Sequence, residues 1–254
     1  DGDGWGGAFA LGYAWGDGWS AAVRYRRIEM SDNGGPVEPG LIPFGAGVSF
    51  IPGGFIVGVL EAYTEVESTA SIVDIEVGRD FVFQGGFVHL YAGLTYADIE
   101  RNTAIIDKCG CPQYAFLMDS DFRGAGPKIG FRGGIPLNGM ISVVGGASAA
   151  AQFGTSKFSS RVDDPLFPPF PFEAKERRTV AALNAEAGLA LAIGPGSLTV
   201  GYRVDALLGA MDTDQRVSEI FRAGGFPSLG DTRDDYVAHG PFARFSLPLA
   251  GVAE

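Results

Sequence analysis

Apolar residues recur at every second position through nine stretches of this chain: 5–15, 18–30, 69–83, 86–100, 120–133, 139–154, 178–193, 197–211 and 234–248. A period of two marks a strand with one oily face. In the first stretch Gly7, Phe9, Leu11, Tyr13 and Trp15 share a face opposite Ala8, Ala10, Gly12 and Ala14. The fourth sets Val88, Leu90, Ala92, Leu94 and Tyr96 against His89, Tyr91, Gly93 and Thr95. The eighth sets Leu198, Val200, Tyr202, Val204 and Leu208 against Thr199, Gly201, Arg203 and Asp205. One face is apolar and ends in aromatics, among them Trp15, Trp19, Tyr96 and Tyr202; the other mixes Gly and Ala with charge.

The connectors alternate as well. Short turns sit at 16–18, 84–86, 136–139 and 194–197, and long loops are expected over 31–58, 101–118, 156–177 and 212–232. Short turns on one rim and long loops on the other are the plan of a transmembrane β-barrel. Each stretch reaches the roughly 9–11 residues that a tilted strand needs to cross a bilayer. A charged residue on the lipid face near the midplane costs about 2–4 kcal/mol, which turns the charged face inward. A soluble sandwich would reverse the faces, but its strands are usually about 5–6 residues long. The expected fold is therefore all-β: one antiparallel barrel domain over residues 1–254. The sense of the first and last strands predicts about ten strands, nine evident here and one ascending strand upstream of Asp1. Two arginines resist the pattern. Arg27 lies on the oily face near a loop, where it can snorkel. Arg79 lies there between aromatics, where a bulge at Gly78 would re-aim it.

Composition narrows the function. Charged residues make up 19% of the chain, below the usual quarter. The net charge of −11 argues against a nucleic-acid partner. No family of ligands for a cofactor or resident metal is evident. Only His89 and His239 are available for acid–base work, and no serine has a base and orienter at strand spacing, so no enzyme is expected. Asp212–Asp214 and Asp231–Asp235 read as solvated loops, with calcium as the alternative. Cys109 and Cys111 favour a tight loop disulfide over free thiols.

Five blocks carry a resemblance. They are Gly6–Tyr25, Asp74–Phe81, Ala92–Ala97 (Ala-Gly-Leu-Thr-Tyr-Ala), Phe122–Pro127 (Phe-Arg-Gly-Ala-Gly-Pro) and His239–Arg244 (His-Gly-Pro-Phe-Ala-Arg). In order and across almost the whole chain, they resemble the Legionella-type major outer membrane protein family of pore-forming barrels. The resemblance implies a Gram-negative outer-membrane pore without catalytic residues, in contact with outer-membrane lipid and lipopolysaccharide. A homo-oligomer or a surface-protein partner is compatible with it.

On this reading Arg24, Arg26, Lys128, Arg132, Arg203 and Arg244 line the lumen with Asp74, Glu76, Asp80, Glu186 and Asp205. They form either a pore wall or pairs that fill a narrow interior. Inward Gly and Ala would leave room for a path. Acid outside the lumen would give a weak cation preference. The run Pro165–Phe172 is too rich in proline for a central strand and is expected to be polyproline-like. It would place Phe167, Phe170 and Phe172 as a constriction or a docking loop. The competing function is a plugged structural barrel whose loops hold other surface components.

Overall fold

The computed structural model describes residues 3–37, 48–51, 54–57, 62–107, 115–164, 167–212 and 233–248. These form strands β1 (Asp3–Trp15), β2 (Trp19–Val37), β3 (Val48–Ile51), β4 (Gly54–Val57), β5 (Ala62–Phe83), β6 (Gly86–Asp107), β7 (Ala115–Pro136), β8 (Ile141–Asp164), β9 (Phe167–Ile193), β10 (Gly196–Asp212) and β11 (Arg233–Ser246). Nine of them make one antiparallel sheet in the order β1-β2-β5-β6-β7-β8-β9-β10-β11, and β3 and β4 pair separately as a hairpin. Among the described residues no helix is long and apolar enough to cross a membrane.

The short turns close as expected. Asp17 and Gly18 take left-handed φ values of 63° and 77°, and Gly85 and Gly194 take 99° and 57°. Asn138 folds its own turn by accepting the amides of Met140 and Ile141 at 2.9 and 2.8 Å.

The expected long loops are largely strand instead. β5, β6 and β7 each have 22 residues, β8 has 24 and β9 has 27, about twice what the bilayer requires. The Pro-rich run is a correction of the same kind: Phe167, Phe170 and Phe172 lie in β9, paired to Asp164, Val162 and Ser160 of β8. Proline is tolerated there because the β9–β10 ladder ends at Ala181–Leu208, leaving residues 167–180 of β9 as a sheet edge. Cys109 and Cys111 lie outside the described residues.

The extra strand length has its own polarity. From the turns up to Tyr25, Tyr96, Phe153 and Tyr202 the outer face is apolar, with Leu11, Ile75, Leu94, Ile129 and Val200 exposed. On β6 this belt runs Val88–Tyr96, a membrane-spanning length. Beyond it the faces exchange roles. Asp98, Glu100, Arg123, Lys157 and Arg177 face outward, while Ala97, Ile99, Phe122, Phe158 and Val180 are buried inside. The curled sheet thus continues past the apolar belt with a polar outer face and a buried, mainly apolar inner face.

The sheet curls strongly. β2 and β10 are six strand steps apart, about 29 Å along the sheet at about 4.8 Å per step. Yet Arg26 of β2 donates to Asp205 of β10 at 2.7 Å. β1 and β11 share no ladder among the described residues. Arg79 is not re-aimed: the β5–β6 register runs through Gly78–Tyr91 and Arg79–Leu90 without a shift. Its guanidinium instead lies 5.7 Å from the rings of Trp19 and Phe81 on the outer face, near the turn rim. Arg27 pairs with Glu29 at 2.7 Å.

Candidate functional site

The inside of the curled sheet is organised in two layers. The lower layer, nearer the turns, holds ten of the eleven charged residues singled out above in one chain of contacts. Glu76 accepts from Arg24 Nε at 3.0 Å, from Lys128 Nζ at 3.0 Å and from Arg132. Lys128 bridges to Asp74 at 2.9 Å, and Asp74 accepts from Arg26 Nη2 at 3.0 Å. Arg26 continues to Asp205, which also accepts from Arg203 Nε at 2.7 Å and from Asn184 at 2.9 Å. Glu186 ends the chain between Arg203 at 3.8 Å and Arg244 at 2.9 Å. One of these ion pairs, Arg203–Glu186, is also a direct cross-strand neighbour pair in the ladder, where opposite charges attract most.

Asp80 stands apart. It pairs with His89 Nδ1 at 2.7 Å at the exposed turn rim. The lattice therefore contains six cations and four carboxylates, a net +2, where the inward positions named from the sequence hold six and five. Arg26, Asp74, Glu76 and Lys128 are buried, while Arg24, Arg132, Arg203 and Arg244 keep partial contact with water. Exposure thus falls from the turn rim toward the centre. The space lined by Arg26, Asp74, Thr95, Lys128, Gln152 and Asp205 is about 20 Å³, room for a water molecule.

The inward glycines do not leave an open path. A Cβ at Gly130 would lie 2.5 Å from the Tyr91 ring, and one at Gly124 would lie 2.5 Å from the Phe122 ring. Gly130 accommodates the Tyr91 ring leaning across from β6, and Gly124 accommodates the Phe122 ring leaning along its own strand. Tyr91 is in turn sandwiched by charge, with the Arg132 guanidinium 4.2 Å from its centroid.

The upper layer is mainly apolar. Ile72, Ile99, Phe122, Val180, Leu207, Met211 and Tyr236 form its core, and Ile28 and Met30 of β2 pack against it. Among the described residues a bulge in β10 caps this core. The β10–β11 register shifts between Leu207 and Met211, and Gly209 within it has a φ of 69°. The bulge turns Ala210, Met211 and Asp212 inward, all three buried. Arg178 of β9 holds this cap by donating to the Gly209 carbonyl at 3.1 Å and to Asp212 at 2.8 Å. Ser156 donates to Asp212 at 2.7 Å, and the Asp212 amide donates to Ser120 at 3.0 Å. Burial pulls the Arg178 guanidinium down, but its hydrogen bond to Asp212 and the charges of Asp212 and Glu176 more than restore it. Asp212 is thus an ion-paired cap residue rather than a solvated one, and Asp214 and Asp231 lie outside the described residues.

The chain's sequence decides where this architecture belongs. Residues 2–248 match the family described as Legionella pneumophila major outer membrane protein precursor. The chain belongs to that family. It is accordingly an outer-membrane protein, and the apolar belt between the turn rim and the tyrosines is its lipid-facing surface. No curated protein matches the chain.

The upper layer and its cap were not foreseen from the sequence, although a signal was present. In β6 the apolar residues change parity at Tyr96–Ala97, with Leu94 and Tyr96 outward and Ala97 and Ile99 inward. In β7 the same change separates Phe122 from Ala125.

Proposed function

We propose that this protein is a narrow outer-membrane pore for ions and small polar solutes whose lumen is shut at rest by a hydrophobic gate. One observation carries the reading: a charged layer with graded access to water leads into a mainly apolar layer on the same axis. Apolar constrictions close channels by excluding water, and a shift of a few ångströms in such a layer suffices to wet it. The gate residues are Phe122, Met211 and Tyr236, with the β10 bulge as the movable part.

Selectivity is weak in this proposal. The lattice carries +2, while the whole chain carries −11, so acid lies in excess outside the lumen. That excess concentrates cations at the mouth, and the lattice opposes it. A modest cation preference results.

The projection of the strands beyond the bilayer favours a second reading, a structural barrel whose outer part docks other surface components. Planar-bilayer recording separates the two. The pore reading expects mostly closed wild-type protein with brief openings, and Phe122→Ser to raise the open fraction at least about tenfold through a wetted gate. Silence from both proteins, each correctly folded, supports the docking barrel.

A further inference from the structure

We propose that the outer face of β8 and β9, just above the apolar belt, binds the phosphate of an outer-leaflet lipid headgroup through Lys157, Lys175 and Arg177. Lys157 and Lys175 are direct cross-strand partners, and both are exposed. Side chains so placed have Cβ atoms about 4.5–5.5 Å apart, and like charges there destabilise the sheet. Arg177 lies two residues below Lys175 on the same face and is also exposed. Among the described residues neither Lys175 nor Arg177 has an ion-pair partner. Nearby carboxylates offset the cluster in part: Asp121 of β7 faces Lys157, Asp119 accepts from Ser159 at 3.2 Å, and Glu173 lies two residues before Lys175 on β9. Arg123, the cation one position farther down β7, is committed to Asp98 at 3.0 Å and Glu100 at 3.2 Å. Three clustered cations on a chain of net charge −11 call for an anion.

Depth identifies which anion. Phe153 of β8 marks the top of the apolar belt and pairs with Thr179. Arg177 lies two residues above that level and the lysine pair four, about 7 and 14 Å along strands that rise about 3.4 Å per residue. A tilt of about 45° reduces these to about 5 and 10 Å of height. The polar layer on each side of the hydrocarbon is about 5–8 Å deep, within reach of downward-leaning lysine side chains. The neighbouring edge of β9 has no ladder partner above Ala181 among the described residues. A phosphorylated headgroup whose acyl chains lie along Phe153, Ala151 and Ala149 satisfies both the charge and the apolar surface below it. The inference rests on outer-membrane placement and is independent of whether the lumen conducts.

The test uses the full chain in detergent with three probes: a bisphosphorylated lipid A, the same lipid dephosphorylated, and inorganic phosphate. Binding is read by native mass spectrometry and by the shift in thermal unfolding. The bisphosphorylated lipid should bind wild type and raise its melting temperature. The Lys157→Gln/Lys175→Gln/Arg177→Gln variant should bind it about 100-fold more weakly, as expected for the loss of three surface cations. Lys175→Arg should bind like wild type. Without lipid, Lys175→Gln should melt no lower than wild type, because it relieves the like-charge pair. Equal binding by wild type and the triple variant would overturn the site. Equal stabilisation by the dephosphorylated lipid would overturn the role of phosphate, and full stabilisation by inorganic phosphate alone would overturn the lipid assignment. A lipid-free melting temperature lowered by Lys175→Gln would overturn the like-charge argument.

Discussion

Individual residues in the lumen act through the company they keep. Glu76 neutralises three cations in a site where it is itself almost wholly buried. Removing one partner of a buried ion pair costs about 3–5 kcal/mol, because the remaining charge stays desolvated. Glu76→Gln should therefore lower the unfolding free energy, read by urea titration in detergent, by that order, and more than Asp80→Asn at the exposed rim. Gly130 makes a second, purely steric point. A methyl group there meets the Tyr91 ring and displaces it from Arg132. Gly130→Ala should cost about 1–3 kcal/mol, as overpacking does, and Gly130→Ala with Tyr91→Ala should recover part of the loss. A third prediction lies on the outer face. Burial and the charge of Glu100 push the Asp121 carboxyl up from its ordinary value, with Arg123 and Lys157 pulling back. A carboxyl raised in the folded state disfavours folding above that value and ceases to do so once protonated. Asp121→Asn should thus raise the melting temperature near about pH 7, and the gain should vanish below the ordinary carboxylate range of about pH 4.

At the scale of elements, β10 shows how one irregularity caps a core. Without the bulge, Met211 and Asp212 would continue straight up the ladder and leave the apolar layer uncovered. The left-handed φ of Gly209 suits glycine and tolerates asparagine, but it strains a β-branched residue. Gly209→Val should destabilise the protein by about 1–3 kcal/mol, whereas Gly209→Asn should be close to neutral, as read by thermal unfolding. The membrane half of each strand was legible in the sequence, because lipid on one side and charge on the other force strict alternation in Val88–Tyr96 and Leu198–Val204. The outer half was harder to read. There the alternation persists with its sense reversed, so the same period fits loops rich in Asp, Arg and Ser. Pro165–Phe172 was misplaced for a related reason: sequence cannot show that β10 ends early and frees an edge where proline needs no partner. The charged lumen residues were legible as a set, since each falls on the inward parity. Their order of pairing was not, because Arg24 reaches past its ladder neighbour Asp74 to Glu76, and Arg26 crosses the whole interior to Asp205.

The described sheet has two zones end to end, oily outside and charged inside within the membrane, then polar outside and mainly apolar inside above it. Within the lumen, charge and closure are separable. Arg244→Gln removes a cation from the partly wetted end of the lattice and should raise the cation preference of any openings, read as a shift in reversal potential under a salt gradient. Glu186→Gln should shift it the opposite way. The central claim concerns which surfaces meet water and which meet lipid. It is tested most directly by single cysteines at Phe122, Ile129 and Arg132, in a background with Cys109→Ser and Cys111→Ser, each carrying a spin label in liposomes. Relaxation by a water-soluble nickel chelate should reach Arg132→Cys, relaxation by oxygen should dominate at Ile129→Cys, and Phe122→Cys should be shielded from both. Nickel relaxation at Phe122→Cys as strong as at Arg132→Cys would contradict the sealed upper layer, and strong nickel relaxation at Ile129→Cys would contradict the lipid-facing belt.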